Sequence, residues 1–343
     1  MEGSYDAERP WFETGIEQVR EGVFRIPLPL PDEGLRAVNV YVLLDANGSY
    51  LIDAGQATDS AWTVLERGLR SLGSSPSDIE QVLVTHIHHD HYSQAMTLRR
   101  RHNVPVALGN GEKKSLDYLR QPQNHRIGGQ LRLLLLSGAR ALAHELRDLQ
   151  PGVPVELWED PDAWLADWAE IQAPSRVLRA IPTPGHTHGH LVFHDAASSL
   201  MFAGDHILPT ITPSIGFEPH LVSRPLADYL QSLRLVRQLA DSTLLPAHGH
   251  VADSTHQRVD ELLEHHAERL EDTYVRLASD TASAAEVAER LSWTRKGRAL
   301  DELTAFNQML AILETRAHLD VLMDRGRIVR CEDASGVERY QPA

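Results

Sequence analysis

A single cysteine, Cys331, stands in the whole chain, so no disulfide can form within it. That scarcity fits a reducing compartment. Long apolar runs are missing as well. The most apolar stretch, 131–143, is interrupted by Arg132 and Arg140 and is too short to span a bilayer. Positive charge is in deficit, with a formal net charge of −15. A protein that coats nucleic acid or an anionic membrane needs an electropositive face, so the balance argues against both roles. Residues 1–10 lack the basic and apolar regions of a signal peptide. The expected location is therefore cytoplasmic, with no membrane partner. Neither a long internal repeat nor a low-complexity linker interrupts the sequence. At 343 residues and 42% hydrophobic content, it has enough apolar material for a sizeable core, and its length predicts one large domain plus a smaller one.

What the chain does have is histidine in one place. His86-Ile87-His88-His89-Asp90-His91 directly follows the apolar run 79–85. That run reads as a buried strand, which puts the cluster on the loop at a strand's C-terminal end. Neutral imidazoles and a carboxylate suit a borderline metal such as zinc. If the chain is still extended there, His86 and His88 point the same way. Asp90 and His91 lie past the bend, where they can reach a second metal. A solvated histidine-rich loop would also contain such pairs, so the weight comes from four further segments in order. These are Leu51-Ile52-Asp53-Ala54-Gly55, Thr183-Pro184-Gly185-His186-Thr187-His188-Gly189-His190, Phe202-Ala203-Gly204-Asp205-His206 and Pro246-Ala247-His248-Gly249-His250.

The organisation around these motifs is alternating. Residues 18–26, 37–44 and 50–53 read as strands, with an Asn47-Gly48 turn before the third. Residues 27–31 carry three prolines and must be extended. Residues 58–72 have helical periodicity and end toward Gly73. Strand, helix, strand with polar clusters at strand ends is an α/β pattern. From 111 to about 167 this alternation is interrupted by leucine-rich stretches that predict two or three helices, broken at Pro122 and Gly128-Gly129. The insert is expected to be a packing layer or a lid that shapes a substrate pocket. It carries Lys113, Lys114, Arg120, Arg126, Arg132, Arg140 and Arg147. Most of these are read as solvated helix faces, and some as candidates to meet a phosphate-bearing substrate. After His250, helices are expected at 259–278, at 284–291 with Ser283 as cap, and at 303–323. A hairpin of 327–330 and 337–340 follows. Three helices and a hairpin resemble a winged helix.

The five ordered motifs closely resemble the metallo-β-lactamase superfamily of hydrolases, over about the first three-quarters of the chain. The resemblance implies an α/β fold, a four-layer αββα sandwich. It implies a catalytic domain over 1–257 with its helical insert, and a winged-helix-like domain over 258–343 such as an endoribonuclease-like branch carries. It assigns His86, His88 and His186 to a first metal, Asp90, His91 and His248 to a second, and Asp205 as a bridge between them. Asp90 and Asp205 are thereby also the catalytic carboxylates. Asp53 would orient the metal loop without binding metal. His190 matches a structural position, His206 is a candidate to reach substrate, and His89 is expected to face away. Ser93 stands where a glycine is common, which leaves the local loop shape open.

The implied activity is hydrolysis by a hydroxide held on two divalent ions, zinc by preference, with iron or manganese accepted by the same donors. Asp90 permits a dinuclear site, as in the glyoxalase-II-like and lactonase-like branches. Without a cysteine in the ligand set, antibiotic hydrolysis is disfavoured. The favoured substrate is a small acyl thioester of the acyl-CoA kind, because its carbonyl is electrophilic and its thiolate leaves well. A lactone is the nearest competitor. An endoribonuclease or phosphodiesterase acting on single strands is the second reading, opposed by the acidic tail, which also has no aromatic stacking platform. A DNA-binding regulator with a sensory metal domain is the third. The tail is read as a helical cap that supports a subunit interface, as in a homodimer, or a wall of the pocket.

Overall fold

The computed structural model describes residues 10–31, 34–45, 48–121, 127–147, 155–173, 175–218, 220, 224–277, 281–294 and 296–343. Asn47, Pro122, Arg126 and Ala278 lie outside them.

Two sheets form the centre. The first takes strands in sequence order: β1 (Glu17–Arg20), β2 (Val23–Pro29), β3 (Ala37–Asp45), β4 (Gly48–Ile52), β5 (Ile79–Val84), β6 (Val106–Gly109) and β7 (Ala163–Leu165). Its first half is antiparallel, with Tyr41 opposite Ile52, and its second half is parallel, with Val82 opposite Val106. The second sheet is formed by β8 (Glu170–Ala173), β9 (Arg176–Pro182), β10 (Leu191–Asp195), β11 (Leu200–Gly204) and β12 (Thr243–Pro246), with β12 parallel to β11. Residues 18–26, expected as one strand, form two, because the chain turns at Glu21-Gly22 and β1 folds back to set Glu17 opposite Arg25.

The strands are apolar on both faces because both faces are covered. Between the sheets, Tyr41, Ile52 and Leu83 pack against Leu178, Phe193 and Phe202. The outer face of the first sheet, with Val40, Leu51 and Val82, meets Leu65 and Leu69 of α1 (Asp59–Ser71) and Met96 of α2 (His89–His102). Thr58 caps α1 by accepting the Ala61 amide at 3.2 Å. The outer face of the second sheet, with Ile181, Val192 and Met201, meets the later helices. The result is the expected αββα layering.

Among its described residues the insert yields three helices, α3 (Lys113–Leu119), α4 (Gly128–Leu136) and α5 (Arg140–Arg147), and returns as the edge strand β7. Beyond the sheets lie α6 (Pro225–Arg237), α7 (Thr255–Leu277), α8 (Ala284–Glu289), α9 (Ala305–Asp324) and the hairpin β13 (Ile328–Glu332) with β14 (Glu338–Pro342). Helix α7 thus begins just ahead of position 258. Leu134 and Leu146 of the insert, Leu233 of α6, Leu262 of α7 and Leu319 of α9 share one buried cluster with the second sheet. Ser283 and Glu286 close a reciprocal capping box at the start of α8. Among the described residues, no helix is long and apolar enough to cross a membrane.

Candidate metal centre

The cluster assembles where strands end. Strand β5 stops at Val84, and Thr85 and His86 follow, both fully buried. His88 ends the turn, and α2 then starts at His89, bringing Asp90 and His91 inward on its first turn. The loop after β9 delivers His186, the end of β11 delivers Asp205, and the end of β12 delivers His248. Every one of the seven expected residues reaches this one place.

Two groups of donors form there. His86, His88, His186 and Asp205 offer atoms all within 4.8 Å of one another, and so do Asp90, His91 and His248. Asp205 joins the groups through its two oxygens. Its Oδ2 lies 3.4 Å from His186 Nε2, while its Oδ1 lies 3.3 Å from His248 Nε2 and 3.6 Å from His91 Nε2. Asp90 Oδ2 faces His248 Nε2 at 3.4 Å and His91 Nε2 at 3.6 Å.

Each imidazole is held by its outer nitrogen. His91 Nδ1 meets Asp53 Oδ2 at 2.8 Å, His248 Nδ1 meets the Ala37 carbonyl at 2.7 Å, and His186 Nδ1 meets the Ser214 carbonyl at 2.9 Å. His88 Nε2 meets the Phe217 carbonyl at 3.0 Å, and His86 Nδ1 lies 3.0 Å from Thr85 Oγ1. The inner nitrogens of His186 and His88 lie 3.0 Å apart in a hydrogen bond, and the other three are the reverse. His86 Nε2, His91 Nε2 and His248 Nε2 are buried without a hydrogen-bond partner, as is Asp205 Oδ1. Buried polar atoms are rarely left so, and four in one site call for partners that the protein itself does not supply. Orientation by the outer nitrogen with the inner one free is how proteins present histidine to a metal. The donor set suits a divalent cation of the zinc, iron or manganese type.

The electrostatics agree. Burial pushes His86 well below its usual range, reinforced by His91 and His88, and takes His88 down to about 3, so both rings are neutral. Burial also lowers His91, but Asp53, Asp90 and Asp205 outweigh it and raise the ring to about 9. Burial likewise opposes charge on Asp205, yet His248 and His91 hold it below the ordinary carboxylate range. Asp90 is held low against burial in the same way, chiefly by His91. A cation would take over the role of those protons.

The supports are local and specific. Asp53 adopts φ 60°, uncommon outside glycine, and from there Oδ1 accepts the Thr85 amide at 2.8 Å. Asn39 and Tyr41 of β3 donate to the Pro246 carbonyl at 2.9 and 2.8 Å and so fix the loop that carries His248. His190 takes its structural place, accepting the Asp205 amide at 3.2 Å while its Nδ1 meets Thr183 Oγ1 at 2.8 Å. Gly204 must be glycine: at φ +50° a Cβ would sit 2.7 Å from both His190 Nε2 and Thr85 Oγ1. Ser93 lies inside α2 and accepts the Ala57 amide at 2.9 Å, which ties the Asp53 loop to the helix.

One expectation needs correction. His206 does not reach a substrate space. It is fully buried, with ring centroids 6.0 Å from His190 and 5.2 Å from Tyr229, because the turn after Asp205 points it into the helical layer. None of the described basic residues of the insert lines the cavity beside the centre. Arg120 pairs with Asp160 at 2.6 Å, and Arg132, Arg140 and Arg147 are exposed. The cavity beside the centre takes its arginines from elsewhere: Arg224, Arg316 and Arg330. Sequence reasoning also missed Phe217, Ser214 and Ala37, which act through backbone carbonyls that leave no sequence signal. It missed Glu112 and Glu218 too, buried carboxyl groups just behind the loops.

Comparison with known proteins places this geometry. The sequence profile described as the Metallo-beta-lactamase superfamily matches residues 34–248. The chain is 27% identical over 323 residues to the "Probable metallo-hydrolase YqjP" of Bacillus subtilis, covering 88% of this chain and 92% of that one. It is 29% identical over 176 residues to a "Hydroxyacylglutathione hydrolase" of Cereibacter sphaeroides, covering 51% of this chain and 52% of that one. Among solved structures, a metallo-beta-lactamase family protein of Thermus thermophilus superposes with a TM-score of 0.77 at 27% identity, over 95% of this chain and 100% of that one. A beta-lactamase domain protein of Burkholderia ambifaria gives a TM-score of 0.74 at 26% identity, over 96% and 95%. The chain belongs to the metallo-beta-lactamase superfamily, and it is a metallo-hydrolase of that superfamily.

Proposed function

We propose that this hydrolase uses two divalent cations, zinc by preference, to cleave a thioester or related activated ester of a small acyl conjugate. One observation carries the reading: buried, unpartnered imidazole nitrogens of His86, His91 and His248 converge on Asp205 in one site. His86, His88 and His186 would hold one cation, Asp90, His91 and His248 the other, and Asp205 would touch both. Asp90 and Asp205 are the carboxylates assigned to catalysis. Cations bound there supply Lewis acidity and make water nucleophilic near neutral pH.

The chain's own residues shape what enters. Phe217 stacks edge-on against Phe306 of α9 with centroids 5.4 Å apart, and its ring lies 5.7 Å from that of His88. Phe306 is 40% exposed, so an apolar wall stands open beside a candidate ligand and suits an acyl chain. A cavity of about 320 Å³ runs from Gly185, the neighbour of His186, past Leu133 of the insert to Leu313 and Arg316 of α9. It is the right size for part of a small conjugate. In this reading residues 258–343 serve as a wall of the pocket. The relative named for hydroxyacylglutathione supports an acyl conjugate as substrate.

A lactone is the nearest alternative, and single-stranded nucleic acid the next. Four of the tail's arginines are engaged internally: Arg316 and Arg330 with Glu338, Arg327 with Glu271 and Arg339 with Glu286. That speaks against a phosphate-tracking surface. The test is a panel of acyl-CoA and acyl-glutathione thioesters, lactones and single-stranded RNA offered to metal-analysed protein, with His86→Ala as control. Thiol release lost in the variant supports the proposal. Hydrolysis of lactones or RNA alone replaces it with one of the alternatives.

A further inference from the structure

The loops bearing His86, His88 and His186 rest on two buried carboxyl groups that the chemistry above does not use. Glu112 is fully buried and Glu218 is 3% exposed. Thr187, next to His186, donates its hydroxyl to Glu112 Oε1. The backbone of Ile87, between His86 and His88, lowers the pKa of the same carboxyl group, whose Oε2 is buried without a hydrogen-bond partner. Glu218 accepts the Ser115 hydroxyl at 2.9 Å, and the backbone of His188 lowers its pKa, while its Oε2 is buried without a hydrogen-bond partner. Gln130 of α4 donates to the Glu218 carbonyl at 2.6 Å, and the preceding carbonyl, that of Phe217, holds His88. One small assembly therefore touches both ligand loops and ties them to the insert.

The backbone is built for this contact. A Cβ at Gly189 would lie 2.2 Å from the Glu112 nitrogen, and one at Gly111 would lie 2.6 Å from the Gly189 Cα. Only glycines allow the two segments to lie so close that Glu112 reaches Thr187.

We propose that Glu112 and Glu218 are positioning residues, a carboxyl clamp that sets the spacing of the 86–88 and 186–188 loops. Among the described residues, neither side chain bonds to the segments around Asp90, His91 or His248, where Asp53 and Ala37 serve instead. The clamp therefore acts on one half of the centre. Its selectivity for the first cation rests on the ligand assignment above; its hold on the loops does not. Burial and Glu218 push Glu112 up to about 8, and burial pushes Glu218 up to about 7, so the pair need not place two full charges behind the loops.

Chelator-driven metal release and amide hydrogen exchange test the clamp in the full-length protein. In Glu112→Ala and Thr187→Val, one of two zinc ions should leave about tenfold faster or more, the scale seen when groups behind metal ligands are removed. The other should leave at the wild-type rate. Glu112→Gln, which keeps an oxygen facing Thr187, should stay near wild type. Exchange at the Ile87 and His188 amides should accelerate in the first two variants. Folded Glu112→Ala and Thr187→Val proteins with wild-type exchange at those amides overturn the proposal. Thr187→Val removes one hydroxyl without leaving a large cavity, so the test stands if Glu112→Ala does not fold. The exchange readout needs no metal, so a wild-type chain that binds none would contradict the ligand assignment while still reporting on the clamp.

Discussion

Asp53 Oδ2 lies 2.8 Å from His91 Nδ1, and the opposite nitrogen of that ring is buried with no hydrogen-bond partner. The carboxylate fixes the angle of the imidazole and keeps a proton on Nδ1, so that Nε2 would offer its lone pair to a cation that displaces the second proton. It does so from a left-handed backbone position that costs of order 1 kcal/mol and is retained because Thr85 and His91 bind the result. Replacing Asp53 with Ala should weaken metal binding by roughly 10–100-fold, read by competition with a chromophoric chelator. Unchanged affinity would show that His91 orients itself.

Gly204→Ala should perturb the centre without touching a candidate ligand. Its Cβ would press on His190 and Thr85, and its backbone would be strained at φ +50°. A loss of about 1–3 kcal/mol in unfolding free energy is expected, together with reduced metal content. A variant as stable and as metal-rich as wild type would refute the packing argument.

How much of this was open to sequence reading differs by residue. The histidine cluster was legible from side-chain chemistry and spacing, and the family resemblance added the rest of a set that the fold brings together: His86, His88, Asp90, His91, His186, Asp205 and His248. Asp53 was legible only through the family resemblance. The carbonyls of Ala37, Ser214 and Phe217 were not legible, since any residue supplies a carbonyl and only the fold aims it. Glu112 looked like the start of an insert, and nothing local marks a glutamate that will be buried. His206 misled because adjacency to Asp205 in sequence says nothing of direction once β11 ends. Ser283 was legible as a cap, because the capping box is a local pattern.

Ser283→Ala tests that local claim. Loss of the cap should cost about 1 kcal/mol in urea-induced unfolding and leave metal content unchanged. A change in metal content would mean that α8 communicates with the centre.

Asp320 gives the pH prediction. Burial raises its carboxyl to about 6 from an ordinary value near 3.8, and Arg316 and Arg330 only partly offset the shift. The folded state therefore binds its proton more tightly than the unfolded chain does. Its contribution is fully present below about pH 4 and is lost as the pH rises through 6. Asp320→Asn should flatten the stability profile across that window, measured by thermal unfolding at stepped pH. An identical slope in the variant would assign the effect elsewhere.

Phe306→Ala should separate substrates by chain length. Removing an exposed ring that abuts Phe217 should raise KM for long acyl thioesters several-fold and leave acetyl thioesters nearly unaffected, since each buried methylene is worth about 0.8 kcal/mol. Equal losses on both would remove the aromatic wall from the account.

We propose that each of the two donor groups joined by Asp205 holds a divalent cation. Zinc titration of metal-free protein, followed by calorimetry and mass spectrometry, tests it most directly. The prediction is two equivalents for wild type, one for His88→Ala, one for His248→Ala, and a collapse of tight binding at both positions for Asp205→Asn. A wild type that binds none, or whose stoichiometry is untouched by all three substitutions, would contradict it.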